Sequence, residues 1–272
     1  MTNEESIHDT VSAAYASALE RTRGGACPTT ATLVSGLTDL AGYREERGRH
    51  AEAAASSFGC GHPLSFASVG EGDTVLDLGC GAGLDLLIAA EKVGPTGKVI
   101  GVDMTTAMVE EARAHAEGAG FADRVEVREG LIEELPVEDG CVDHVISNCV
   151  INLSPDKERV FAELARVLAA GGRFAISDLV VERLPSWIRM VPQAYAACVS
   201  GAIGEEAYLA GLRAAGLEDV TVIDRLVYTV EQIEALGGEL LERVPVPRMV
   251  VRMGLKSVAG QVWSARITGR RP

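Results

Sequence analysis

The chain reads as an α/β protein: a doubly wound parallel sheet with a helical appendage at its N-terminal end and an α+β elaboration at its C-terminal end. Two observations predict this. Short apolar runs alternate with helical stretches between Thr74 and Ser177, and repeated βα units of that size build parallel sheets with helices on both faces. The first of these runs also breaks at a glycine cluster, and the next ends in an aspartate, an order associated with ligand sites at strand ends.

The elements follow in chain order. From Glu4 to about Arg23, Ile7, Val11, Ala14, Tyr15 and Ala18 recur three or four apart, the spacing of one helix face. Gly24-Gly25 ends that helix, and a loop with Cys27 and Pro28 follows. Thr74-Val-Leu-Asp-Leu78 is a strand, Leu84 to Lys92 a helix, and Lys98-Val-Ile-Gly-Val102 a second strand ending at Asp103. Thr105 to Gly118 reads as a helix with Thr105 as N-cap, and Arg124-Val-Glu-Val-Arg128 as a strand. Val142 to Ser147 is the fourth strand. Asp156 to Ala169 is expected as a helix closed by Gly171-Gly172, ahead of a fifth strand over Arg173 to Ser177. Helices around Met190 to Val199 and Glu205 to Ala215, a strand at Val220 to Ile223, and an antiparallel pair from Val250-Met253 and Val262-Ile267 complete the reading. It divides the chain into a helical segment with the Cys27 and Cys60 loop over 1–65, a ligand-binding α/β domain over 66–180, and a substrate-covering and C-terminal region over 181–272.

Charge narrows the partners. With 25 basic and 39 acidic residues the net charge is −14, which argues against nucleic acid and against an anionic membrane, since both need a cationic footprint. A small neutral or cationic ligand fits better. No leader and no apolar stretch of spanning length is visible, so the chain is read as cytoplasmic, with its six cysteines expected as thiols.

The glycine cluster is Val75-Leu-Asp-Leu-Gly-Cys-Gly-Ala-Gly83. Glycines at a strand-to-helix turn admit a ligand close to the backbone, and Asp103, 20 residues after Gly83, stands where an acid binds a ribose diol. A dinucleotide loop would want a further glycine where Leu84 stands. The cysteines divide too. Cys80 and Cys141 read as small packing residues. Cys60 lies between Gly59 and Gly61, which are expected to expose its side chain. Cys149 ends the fourth strand, and Cys198 falls in a segment that would cover the same face. Spacings of 89 and 49 residues among these three are unlike the short pairs of structural zinc sites. Each alone reads more readily as packing; together, at loops bordering the ligand end, they point to a soft metal or metalloid.

Phe58-Gly-Cys-Gly-His-Pro-Leu64, the glycine loop, Gly101-Val-Asp-Met104, Val145-Ile-Ser-Asn-Cys-Val-Ile-Asn-Leu153 and Cys198-Val-Ser-Gly-Ala-Ile203 resemble segments of the arsenite S-adenosylmethionine methyltransferases, from about Cys27 to Val230. The resemblance implies a Rossmann-like class I methyltransferase sheet. It implies S-adenosylmethionine as cofactor, with contacts from Asp77, Gly79, Cys80, Gly81, Asp103, Met104, Asn148 and, at the adenine, Ile132 and Glu133; a solvated Glu133 is the other reading. It implies that Cys60, Cys149 and Cys198 bind trivalent arsenic, and that Cys27 joins a disulfide relay fed by glutathione or thioredoxin. Relatives often carry adjacent cysteines near Cys27, whereas here Pro28 follows, and the resemblance assigns Cys27 no relay partner.

Trivalent arsenic held by three sulfurs keeps a lone pair, so an in-line displacement needs orientation more than a base. His62 and His144 are therefore read as packing or solvated residues, and Asn148 and Asn152 as shaping the pocket. Two other functions share the motifs: methyl transfer to an organic carbon or nitrogen nucleophile, and metalloid binding without turnover.

Overall fold

The computed structural model describes residues 3–23, 43, 46–57, 59, 61–182, 201–229 and 260–272. These form α1 (Asn3–Arg23), α2 (Glu46–Arg49), α3 (Ala51–Ala55), β1 (Thr74–Leu78), α4 (Leu84–Val93), β2 (Lys98–Asp103), α5 (Thr106–Gly118), β3 (Val125–Glu129), β4 (Val142–Asn148), α6 (Lys157–Val167), β5 (Leu168–Val181), α7 (Glu205–Ala214), β6 (Glu218–Val227) and β7 (Val262–Arg270). The expected helix over Met190 to Val199 and the strand at Val250 lie outside the described residues.

Among the described residues the strands make one seven-stranded sheet in the order β3-β2-β1-β4-β5-β7-β6. β1 pairs in parallel with β2 on one side and β4 on the other, Leu76 lying opposite both Ile100 and Val145. A central strand covered on both faces must be apolar in both directions, and Val75, Leu76 and Leu78 are fully buried. Successive residues face opposite layers: Leu76 and Leu78 join the Phe161, Leu164 and Tyr208 cluster under α6 and α7, while Val75 meets Leu86, Ile88 and Val109 under α4 and α5. Each leucine buried in this way contributes about 1.5–3 kcal/mol.

Two expectations change. Gly171-Gly172 does not close α6: the helix stops at Val167, and β5 starts at Leu168 and passes through both glycines. The pairing register of β5 with β4 shifts between Val142 and His144, and Gly171 has φ +78°. The glycines thus serve a bulge in a strand: between Val142↔Leu168 and His144↔Arg173, β5 advances five positions against two on β4, so three extra residues leave the ladder. α6 does begin as expected, with the Asp156 side chain accepting from the Arg159 N–H at 3.0 Å. The second change is β7, which runs antiparallel between β5 and β6 within the main sheet.

The N-terminal helix is not peripheral. Val11 and Leu19 are buried, Val11 against Cys149, Leu153, Leu179 and Val262, and Leu19 against Ala82 and Met108. α1 therefore lies across the carboxyl ends of the strands. No helix among the described residues is long and apolar enough to cross a membrane.

Candidate active site

The strand order reverses between β1 and β4, and open α/β sheets bind ligands beyond the carboxyl ends of the strands at that switch. A cavity opens there. At the end of β1 the chain turns at Gly79, φ +64°, where a Cβ would stand 2.3 Å from Val150 Cγ2. Only glycine lets the loop after β4 come this close. A Cβ at Gly81 would meet no atom of the described residues within 4 Å beyond its chain neighbours, so its absence leaves cavity space open. The loop is anchored to β2, because the Cys80 N–H donates to the Val102 carbonyl at 3.1 Å.

The Asp103 carboxylate accepts from the Gly81 N–H and the Thr105 N–H, both at 2.9 Å. Burial raises its pKa, against the opposing pull of those two donors. Asp77 is 2% exposed and lies well above the usual carboxylate range, first through burial and then through the charges of Asp85 and Asp103. The Cys80 thiol is pushed up chiefly by burial, then by Asp103 and Asp77. Asp77, Asp85, Asp103 and Glu133 all line the cavity, and no lysine or arginine does so among the described residues. The enclosure therefore favours a ligand carrying positive charge. S-adenosylmethionine fits it, because its ammonium and sulfonium would meet carboxylates.

Every cofactor contact expected from the sequence lines this one cavity: Asp77, Gly79, Cys80, Gly81, Asp103, Met104, Ile132, Glu133 and Asn148. Glu133 is buried rather than solvated, accepting from Ser154 Oγ at 2.5 Å and pairing with His8 Nε2 at 3.0 Å. Sequence reasoning missed His8, Val11 and Tyr15 on α1, which also line the cavity. It missed Asp85 as well, whose signal was a lone acid in the apolar run Leu84-Asp-Leu-Leu-Ile88.

Cys149 also borders the cavity, one residue beyond β4. Its φ is +60°, uncommon for a residue with a Cβ, and its N–H donates to the Ser177 carbonyl at 2.8 Å. Cys149 is disulfide-bonded, with its partner outside the described residues. The expectation of resting thiols thus fails at this position, while Cys80 and Cys141 are free. Cys141 is exposed, its thiol donating to the Glu138 carbonyl, so it does not pack as expected. Cys27, Cys60 and Cys198 lie outside the described residues. Among those described, no cluster of three His, Cys, Asp or Glu could hold a metal ion.

The loop before the sheet is gripped by Asn148. Its Oδ1 accepts from the Gly61 N–H at 3.0 Å, and its Nδ2 donates to the Gly61 carbonyl at 2.8 Å. Gly59 and Gly61 are glycine for want of space: a Cβ on Gly59 would lie 2.2 Å from Asn148 Nδ2, and one on Gly61 2.2 Å from Ser177 Cβ. Asn152, fully buried, does not line the cavity; its Nδ2 donates to Asp178 and to the Leu179 carbonyl, tying the turn after Cys149 to β5. His62 stacks on Tyr43 with ring centres 4.2 Å apart, and His144 pairs with Asp73 at 3.1 Å. Neither borders the cavity, in keeping with the packing or solvated role expected for both.

Residues 70–221, more than half of the chain, match the family model of a methyltransferase domain. Over 199 residues the chain is 45% identical to a Halobacterium salinarum protein named arsenite methyltransferase, covering 73% of this chain and 51% of that protein. The human arsenite methyltransferase is 39% identical over 163 residues, 57% of this chain and 43% of its own length. Among solved structures, an arsenic(III) S-adenosylmethionine methyltransferase from Chlamydomonas reinhardtii superposes with a TM-score of 0.61 at 33% identity, covering 88% of this chain and 72% of that one. The chain spans about half the length of the curated relatives it matches. With the strand order, the glycine loop and the acidic cavity, these likenesses make the chain a member of the arsenite S-adenosylmethionine methyltransferase family of class I methyltransferases.

Proposed function

We propose that the chain transfers a methyl group from S-adenosylmethionine to trivalent arsenic held by the thiolates of Cys60, Cys149 and Cys198. The observation that carries this reading is that Cys149 borders the same cavity as Asp77 and Asp103. A soft metalloid bound there would stand beside a site suited to a cation. When bound, the cofactor supplies an electrophilic methyl group. The chain's own part is to orient: Asp103, fixed by two backbone N–H groups, offers its remaining lone pairs to ribose hydroxyls, and Ile132 and Glu133 form the wall for the adenine.

Arsenic binding needs Cys149 as a thiolate, and in the structure that sulfur is in a disulfide. A reductant must therefore act first. Glutathione or thioredoxin in the cytoplasm, with Cys27 as the relay thiol, meets that need. The test is to incubate purified, reduced protein with methyl-labelled S-adenosylmethionine and arsenite and to separate the arsenic species. Label in methylated arsenic is the expected result; a reduced, cofactor-binding protein that yields none overturns the reading.

A further inference from the structure

Two buried side chains, Tyr43 and Asp85, and the half-buried Asn148 connect the cofactor cavity to the Gly59–Gly61 loop. Asp85, in the first turn of α4, borders the cavity and accepts from the Tyr43 hydroxyl at 2.7 and 2.8 Å through its two oxygens. Asn148 Nδ2 lies within donating distance of three acceptors: the Gly61 carbonyl at 2.8 Å, Tyr43 Oη at 2.9 Å and Asp85 Oδ2 at 3.1 Å. A primary amide has two hydrogens. Three acceptors therefore compete for two donors, and the carboxylate, as the charged one, is the strongest claimant.

Asp85 has Asp77 for a neighbour, and each makes the other's charge costlier. A cation in the cavity relieves that repulsion and takes up part of the Asp85 charge. The amide of Asn148 is then left to Gly61, whose N–H and carbonyl it already holds. Since a Cβ on Gly59 or Gly61 would collide with Asn148 or Ser177, the loop has no slack against β4 and β5, and a tighter grip at Gly61 restrains both glycines that bracket Cys60 in the sequence.

We propose that Tyr43, Asp85 and Asn148 are positioning residues forming a charge-responsive clamp, which tightens on the Gly59–Gly61 loop when a cationic cofactor fills the cavity and loosens when a ligand of lower charge replaces it. It rests on the reading above that Cys60 belongs to the arsenic site. Methyl transfer converts a sulfonium into a neutral thioether, so the clamp would hold the thiol loop before transfer and relax it afterwards.

The Gly61 N–H, which donates to Asn148, reports the clamp directly. Its hydrogen exchange is measured in the reduced full chain without ligand, with saturating S-adenosylhomocysteine, and with saturating sinefungin, which carries an amine in place of the methyl-bearing sulfonium. Exchange is expected to slow in that order, by about fivefold or more from first to last, the lower end of ordinary coupling between sites. Asp85→Asn removes the charge and Tyr43→Phe removes the third acceptor, and in either variant the response should fall below about twofold. Cofactor-analogue affinity is followed in parallel to verify that the sites are filled. Equal protection in all three states of the wild-type chain, or an undiminished response in whichever variant folds, overturns the proposal. Arsenite retained after desalting is assayed on the same samples. An intact exchange response with no arsenite retained supports the clamp and removes the arsenic reading, whereas arsenite retained without a response does the reverse.

Discussion

On the cofactor side of the cavity, the polar groups come from the ends of β1 and β2 and from the turns that follow them; Asp77, Gly79, Gly81 and Asp103 lie within 27 positions of one another. On the thiol side, Cys149 and Asn148 depend on Tyr43, Gly59, Gly61 and Ser177, and the turn after Cys149 depends through Asn152 on Asp178, residues distant in the sequence. The first side is fixed by local chain geometry and has carboxylates with charge to offer. The second is fixed by long-range hydrogen bonds around one residue in a left-handed conformation. Such a conformation costs of order 1–3 kcal/mol and persists where its surroundings determine it. Apart from the Tyr43-Asp85-Asn148 link, separate construction implies that each side can be damaged without the other, and the following variants test that independence.

The largest effect is expected from Cys149→Ser. Serine keeps the size and the backbone contact to Ser177 but replaces a soft ligand with a hard one. Methylation of arsenite should fall by more than about 100-fold, beyond the upper range for loss of a supporting ligand contact, with cofactor affinity unchanged. Full turnover in a mass-verified variant would refute the role given to Cys149, and a parallel loss of cofactor binding would show that the two sides are not separable.

Asp178→Asn tests the bracing of the thiol side. Burial raises the Asp178 pKa from an ordinary 3.8 to about 6, against hydrogen bonds from Leu179, Tyr208 and Asn152. The native state thus holds its proton more tightly than the unfolded chain does. The associated stability is fully present below about pH 4 and is lost as pH rises through about 6. The shift corresponds to about 3 kcal/mol. Urea unfolding of wild type and Asp178→Asn should therefore differ in pH slope between 4 and 6, and identical slopes would contradict the assignment.

The contrast between the two sides also decides what could be read from the sequence. β1, β2, α4 and the glycine loop were legible because apolar runs, helical spacing and glycine clusters are local signals, and Asp103 followed from its place at the end of β2. Gly171-Gly172 was misread because a glycine pair after a helix and a glycine pair in a bulged strand look alike until the pairing register is known. Asp85 stands out in the sequence only as a lone acid in an apolar run, and its contact with Tyr43 is not legible: 42 positions separate them, and nothing in either neighbourhood announces a buried tyrosine-carboxylate contact. The apolar face of α1 showed that it packs but not where, so its place over the cavity emerged only from the fold. Cys149 was legible as a strand-end cysteine, whereas its φ and its disulfide were not.

On the cofactor side, Asp103→Asn should weaken S-adenosylmethionine binding by about tenfold or more, since a hydrogen bond to a charged group contributes about 1.5–3 kcal/mol. The amide oxygen can accept from the Gly81 or the Thr105 N–H, but its NH2 cannot accept from the other, so the loop also loses an anchor. Raising the pH ionises Asp77 and Asp103, whose pKa values are raised, and a cationic ligand prefers them ionised. Affinity should accordingly climb as pH rises from the ordinary carboxylate range, with a shallower climb in the variant. Calorimetric titration over that range checks both, and a pH-independent wild-type affinity would argue against a cation-seeking cavity.

The smallest effect is expected at His8, where α1 meets the cavity. Its Nε2 pairs with Glu133 Oε1 at 3.0 Å, its side chain being 20% exposed and that of Glu133 6%. Ser154 remains to satisfy the carboxylate when the histidine is removed, so the loss is that of one partly solvated hydrogen bond, about 0.5–1.5 kcal/mol. His8→Ala should weaken cofactor binding by roughly two- to tenfold on that scale and leave arsenite retention by the reduced protein as it was. Val11 and Leu19 still anchor the helix through their apolar contacts, which is why the effect stays small. A loss in arsenite retention equal to the loss in cofactor affinity would show that α1 joins the two sides, since Val11 packs against Cys149 on the same helix that carries His8.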